Sequence, residues 1–185
     1  MSNIIVLVKQ VPDTNARIVL SGDRVDLSAV KKVMSPYDEF AVETALQHRE
    51  ANGGEVTAIT VGDAGADKVL KDAKAIGVDH IVRIDSSESH DSNALQTVLA
   101  SVVKSMDASV VYCGKSAADT GAGSTGPGLA ERLGWASVSN SISVSFGEQL
   151  SVVTPSAGGN ARYTVPLPAV VSCLIAFFFV VEKVS

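Results

Sequence analysis

Four short apolar runs recur along the first two thirds of this chain, and in none of them do apolar and polar residues alternate. Residues 4–8 read Ile-Ile-Val-Leu-Val without a break, and residues 56–61, 81–84 and 109–113 read as further strands, interrupted only by Thr57, Thr60, Arg83 and Ser109. A strand that alternates apolar and polar residues has one dry face; an unbroken apolar run needs cover on both, as in a parallel sheet with helices above and below. Between the runs lie segments with helical spacing. Ser35 stands where it can cap a helix, Pro36 suits the first helical position, and Asp38 is placed to reach back to the cap. Phe40, Ala41, Ala45 and Leu46 form that helix's apolar stripe, and Asn52-Gly53-Gly54 ends it. Further helices are expected over 64–76, closed by Gly77, from Asp91 or Ser92 to about Met106, and over 125–133. The expected fold is therefore α/β: a Rossmann-like, doubly wound, mainly parallel sheet with right-handed crossovers.

The last third is different. Residues 141–146 and 150–154 read as a β-hairpin, and 162–165 and 169–176 as further strands beside Pro166 and Pro168. A small hairpin is also expected over 16–20 and 24–27, around Ser21-Gly22-Asp23. With 185 residues the chain suits one domain, 1–185, in which 141–185 is a β-rich C-terminal extension or arm.

Composition narrows the function. A net charge of −5 with no basic run argues against a nucleic-acid partner. Cys113 and Cys173 lie far apart in apolar runs, which is neither a zinc pattern nor a disulfide framework, and they are read as buried hydrophobes in a reducing compartment. The N-terminus has no basic region or cleavage site, so the expected location is the cytoplasm, or the mitochondrial matrix in a eukaryote. The apolar stretch 169–181 falls short of the roughly 20 residues a membrane span needs. His48, His80 and His90 are expected at the surface or in caps, with no triad-like arrangement near them.

Ligands of such sheets bind beyond the carboxyl ends of the strands. The richest loop there follows the fourth run: Gly114, Lys115, Ser116, Ala117, Ala118, Asp119, Thr120, Gly121, Ala122, Gly123, Ser124 and Thr125, then Gly126. Its glycines admit a phosphate close to the backbone, and a helix follows whose first N–H groups favour negative charge. Ser124 and Thr125 add hydroxyls, and Lys115 a counter-charge. Asp119 either contacts the ligand or fixes the loop, and Tyr37 and Trp135 either stack or pack. Gly121, Gly123 and Gly126 spell GxGxxG, but after the fourth strand and not the first, so this is no dehydrogenase fingerprint. The site has no visible catalytic groups, and a metal is not expected.

Taken in order, Val8-Lys9-Gln10-Val11-Pro12-Asp13, Ser35-Pro36-Tyr37-Asp38-Glu39-Phe40-Ala41-Val42-Glu43, Ala75-Ile76-Gly77-Val78-Asp79, Gly114-Lys115-Ser116-Ala117-Ala118-Asp119, Thr125-Gly126-Pro127 and Leu167-Pro168-Ala169-Val170-Val171 closely resemble the beta subunit of electron-transfer flavoproteins, nitrogen-fixation-type and bifurcating relatives included. The resemblance covers about residues 4 to 175. It implies a non-enzymatic electron carrier, heterodimeric with an alpha subunit that holds the redox-active FAD, with AMP or a second FAD in the beta subunit. Donors would be flavoprotein dehydrogenases of acyl-CoA dehydrogenase type, and the acceptor a quinone oxidoreductase or a ferredoxin-type protein.

The resemblance also implies nucleotide contacts at Leu7, at Ser35, Pro36, Tyr37 and Asp38, at Val61, and along the loop from Gly114 to Thr125. Gly123 and Ser124 stand where the family often has Asn or Gln, so backbone contacts must carry more of the binding there. After about residue 176 the family pattern gives way to Phe177-Phe178-Phe179-Val180-Val181, as expected of a truncated, frameshifted or divergent tail. Part of the 169–181 run is expected to be covered by the alpha subunit or a second copy. The alternatives are a stand-alone ATP- or AMP-binding regulator like universal stress proteins, and an adenylating or hydrolytic enzyme, which the first loop does not favour.

Overall fold

The computed structural model describes residues 3–88 and 90–175. The 177–179 phenylalanines, and with them the expected cover over the far end of the apolar run, lie outside the described residues.

The apolar runs pair as their composition demands. β1 (Asn3–Leu7), β6 (Glu55–Gly62), β7 (His80–Asp85) and β8 (Val110–Gly114) join β9 (Ala136–Ser141) and β13 (Ala169–Cys173) in one sheet of order β7-β6-β1-β8-β13-β9. Every neighbouring pair is parallel. From β1 the chain builds outward to β6 and β7, then returns to lay β8 on the opposite side of β1. The switch point therefore falls between β1 and β8.

Alternate residues of each strand feed two separate cores. Ile4, Val6, Val56, Ala58, Val110 and Tyr112 face α1 (Pro36–Asn52) and α2 (Asp67–Ile76), meeting Ala41, Ala45, Val69 and Ala73. Ile5, Leu7, Ile59 and Val111 face α3 (Ser92–Ser105) and α4 (Thr125–Leu133), meeting Leu99, Val103 and Leu129. This is the doubly wound parallel architecture the sequence predicts. No described helix is long and apolar enough to cross a membrane.

Local signals behave largely as read. Pro36 opens α1 and Gly53 follows its end at φ +74°. Asp91 caps α3, its side chain accepting from the Ala94 N–H at 2.7 Å. The predicted 64–76 helix is a 3-10 turn, Ala64–Ala66, running into α2, with Gly77 beyond it at φ +129°. The 16–27 hairpin appears as β3 (Val19–Ser21) and β4 (Arg24–Asp26), and beside it β2 (Gln10–Pro12) pairs with β5 (Lys32–Met34).

The terminal strands divide between two sheets. β10 (Ser143–Ser145), β11 (Leu150–Ser156) and β12 (Gly159–Val165) form an antiparallel sheet, whose Leu150, Val152 and Val165 join the α1-side core. β13 instead enters the central sheet between β8 and β9. β9 has no clear sequence signal: Ala-Ser-Val-Ser-Asn-Ser carries little apolar surface, and among the described residues it is an edge strand paired with β13 alone.

His48 corrects the expectation that each histidine is superficial. It is 1% exposed, with Nδ1 2.9 Å from the Tyr112 hydroxyl and its ring stacked on Phe146 at 4.8 Å. His80 does lie outside, 3.2 Å from Glu55. Both cysteines are buried and free, as read.

Candidate functional site

A cleft of about 850 Å³ opens at the carboxyl ends of β1, β6 and β8, at the switch point. Leu7, Ile59, Val61, Leu99 and Cys113 give it apolar surface, while Lys9, Gln10 and Asp63 line it from the loops after β1 and β6. The 3-stranded C-terminal sheet contributes nothing to its lining.

Most residues expected at a site meet here. Leu7, Asp38, Val61, Gly114, Lys115, Ser116, Ala117, Asp119, Thr120, Ala122, Gly123 and Thr125 all line the cleft. Ser35, Pro36, Tyr37, Ala118, Gly121 and Ser124 are not among its lining residues. Several of these brace it instead. The Ala118 N–H donates to Ser35 Oγ at 3.3 Å, and Lys115 Nζ lies 5.8 Å from the centre of the Tyr37 ring. Gly121 turns the loop at φ +63°, its N–H donating to the Ala117 carbonyl at 2.8 Å. The Ser124 hydroxyl is turned aside to Ser92 Oγ at 3.1 Å, which leaves Ser116, Thr120 and Thr125 as the hydroxyl residues of the loop that line the cleft.

Two sequence expectations change. Neither Ser35 nor Asp38 makes the reciprocal cap expected of them: the α1 start carries no side-chain cap bond. Asp38 accepts from the backbone N–H of Lys9 at 2.8 Å and from that of Gly114 at 3.1 Å. It is 7% exposed, and burial pushes its pKa up to about 7 against the pull of those two N–H groups and of Lys9. Gly126, read as part of the phosphate loop, is a packing residue: a Cβ there would lie 2.9 Å from Cys113 Sγ, where α4 crosses β8. Gly123 keeps the loop role. It sits at φ +64°, a left-handed conformation that disfavours side chains, with only the Lys115 carbonyl near a Cβ position.

Asp119 forms an ion pair with Lys9, both carboxylate oxygens lying 2.8 Å from Nζ, and so ties the glycine-rich loop to the end of β1. Sequence reading passed over one wall, the segment after β7 that brings Ser86, Ser87, Glu88, His90, Asp91 and Ser92 to the cleft. The signal was present, because this segment also follows the carboxyl end of a parallel strand. Among the described residues, no cluster of His, Cys, Asp or Glu has a metal-holding arrangement.

A parallel, doubly wound sheet with a cleft at its switch point and a glycine-rich loop entering a helix defines a Rossmann-like ligand-binding domain. The sequence comparisons are more specific. The electron transfer flavoprotein domain family model matches residues 24–178. The chain is 36% identical over 134 residues to the electron transfer flavoprotein subunit beta of Bacillus subtilis (strain 168), covering 71% of this chain and 52% of that one. It is 32% identical over 178 residues to the electron transfer flavoprotein subunit beta of Syntrophomonas wolfei, covering 94% and 70%. To the protein FixA of Azorhizobium caulinodans it is 31% identical over 186 aligned positions, covering 94% and 66%. The chain belongs to the electron transfer flavoprotein family, on the side of its beta subunits. It spans from about half to seven tenths of the length of these curated relatives.

Proposed function

We propose that this chain is the beta subunit of a heterodimeric electron-transfer flavoprotein and that its cleft holds the adenine nucleotide of AMP or of a second FAD. The observation that carries this reading is the position of the glycine-rich loop. It runs along the cleft at the switch point and ends on the start of α4. The first N–H groups of a helix have no partner within it, so Thr125, which opens α4 and lines the cleft, offers a donor there. The residues present suit such a ligand in two further ways. Gly123 leaves its side of the loop free of side chain. Thr60, which lines the cleft and is 2% exposed, has a hydroxyl without a hydrogen-bond partner among the described residues. A buried hydroxyl in that state favours a polar ligand atom or a water.

In this reading the redox-active FAD is held with an alpha subunit. Electrons arrive from flavoprotein dehydrogenases of acyl-CoA dehydrogenase type and leave to a quinone oxidoreductase or a ferredoxin-type acceptor. Flavin, when bound, supplies the electron chemistry. This chain's own residues bind, orient and shield, and make or break no bond. Leu7, Val61 and Cys113 offer apolar surface for the nucleoside, and the loop from Gly114 to Thr125 takes its phosphates.

The test is to purify the chain together with its alpha subunit, denature the complex and identify the released nucleotides by chromatography and mass. A yellow two-chain complex releasing FAD alone, or FAD and AMP, is expected. A colourless homodimer that binds ATP would replace this reading with the stress-protein-like one.

A further inference from the structure

The two oxygens of the Asp38 carboxylate serve two different strands. Oδ2 accepts from the N–H of Lys9, two residues beyond the end of β1, and Oδ1 from the N–H of Gly114, the last residue of β8. These are the strands that part at the switch point. We propose that Asp38 is a positioning residue of the cleft: its carboxylate clamps the ends of β1 and β8 together and so sets the spacing of the two loops that form the cleft walls. The nucleotide part of this proposal rests on the function proposed above; the clamp itself does not.

Gly114 is shaped to this contact. A Cβ there would stand 2.8 Å from the Tyr37 carbonyl carbon and 2.9 Å from the Asp38 nitrogen, and would also meet Oδ1, so only glycine lets the β8 end come down onto the carboxylate. The clamp also needs the anion. Two N–H donors aimed at two oxygens are both strongly bound by a carboxylate, whereas the hydroxyl oxygen of a carboxylic acid is a weaker acceptor and the NH2 of a carboxamide accepts nothing.

The ionised form is costly at this depth. Burial is the largest influence on Asp38 and raises its pKa; the two N–H groups and Lys9 act against it, and Asp119 adds to it. Among the described residues, the other titratable groups facing it are the Cys113 and Cys173 thiols, both raised by burial and so protonated near neutrality. Lys115, in the loop above, lies over the Tyr37 ring. With a native pKa of about 7 against about 3.9 unfolded, the folded state holds this proton more strongly. The stability from that proton is fully present below about pH 4 and is lost as pH rises through about 7. The clamp thus closes over the interval in which the fold gives up stability.

Amide NMR on the full chain without nucleotide tests the clamp directly. The Lys9 and Gly114 amide signals should shift together with pH, sharing one midpoint, and the shared titration should vanish in Asp38→Asn. AMP binding, measured on both proteins across the same pH range, then tests the consequence. The ratio of wild-type to variant affinity cancels the titration of the AMP phosphate. It should rise by about tenfold as pH rises through the midpoint, the effect of one hydrogen bond to a charged group. A role limited to charge repulsion would make the ratio fall instead. Amides that do not titrate in the wild type, or a flat or falling ratio, overturn the clamp. The amide measurement needs no variant, so misfolding of Asp38→Asn leaves it decisive. Amides that titrate in a chain binding no nucleotide at any pH would support the clamp and count against the nucleotide reading alone.

Discussion

His48 Nδ1 and the Tyr112 hydroxyl meet at 2.9 Å in the core between α1 and β8, where neither side chain reaches solvent. Burial holds the imidazole pKa below its ordinary value, so the ring is neutral in the folded protein near neutral pH. A depressed histidine contributes stability that is present above the unfolded pKa of about 6.5 and is lost as pH falls below it. Asp38 gains stability over part of the same range, so the readout is the difference: in urea unfolding between pH 7.5 and 5, round values that bracket about 6.5, the wild type should lose more stability, or gain less, than His48→Gln. Equal pH dependence in both would remove His48 as the cause.

Tyr112→Phe removes the partner and leaves the imidazole nitrogen buried and unpaired. The expected cost is about 1–3 kcal/mol, read as a lower urea midpoint with unchanged slope. A neutral outcome would mean that water enters to replace the hydroxyl.

Gly114→Ala should destabilise the fold although it adds one methyl group. The atoms it meets include Tyr37 and Asp38 backbone, which cannot swing aside as a side-chain tip does. Overpacking of this kind costs about 1–3 kcal/mol or more, and a thermal melt would show it.

Gly123→Val and Gly126→Val should separate a ligand loop from a packing contact. At Gly123 the left-handed backbone costs a side chain about 1–2 kcal/mol, and the new branch projects beside the cleft. Nucleotide content should fall further than stability. At Gly126 the branch meets Cys113, and thermal stability should fall even in nucleotide-free protein. The reverse ranking would return Gly126 to the ligand site.

Lys115→Met should weaken nucleotide binding only modestly. The ammonium is attracted to the Tyr37 ring, a contact worth about 0.5–1 kcal/mol at an exposed site, and salt screens its pull on a phosphate. Titration of AMP at two salt concentrations should show the wild type losing affinity faster with salt. A loss larger than that of Gly123→Val would mean that the side chain, not the backbone, holds the phosphate.

The central sheet was legible because its message is local: five apolar residues in a row at Ile4 to Val8 need cover on both sides wherever they go. The same reasoning found the glycine-rich loop, since strand, glycines and helix follow one another directly. Long-range relations were not legible. Asp38 occupies a capping position, and nothing in its neighbourhood shows that Lys9 and Gly114 will present their N–H groups to it. Gly126 is small both for a ligand and for a helix crossing, and sequence cannot separate the two. His48 did carry a signal: it follows Ala41 and Ala45 at helical spacing on the apolar face, which a reading centred on catalysis passed over.

The place of β13 between β8 and β9 has a consequence for biosynthesis. β9 is translated before β13, yet among the described residues β13 is its only partner in the sheet. Residues 136–141 must therefore leave the ribosome with no strand to pair with, and wait until residues 169–173 emerge. Until then the β8 edge is open, its Val110, Val111 and Tyr112 without the neighbour that later covers them. Unpaired strand edges are where nascent chains associate wrongly, and contacts between distant segments form late. A ribosome stalled before residue 169 should hold a protease-sensitive chain, and one stalled far enough on to expose 169–173 a resistant one.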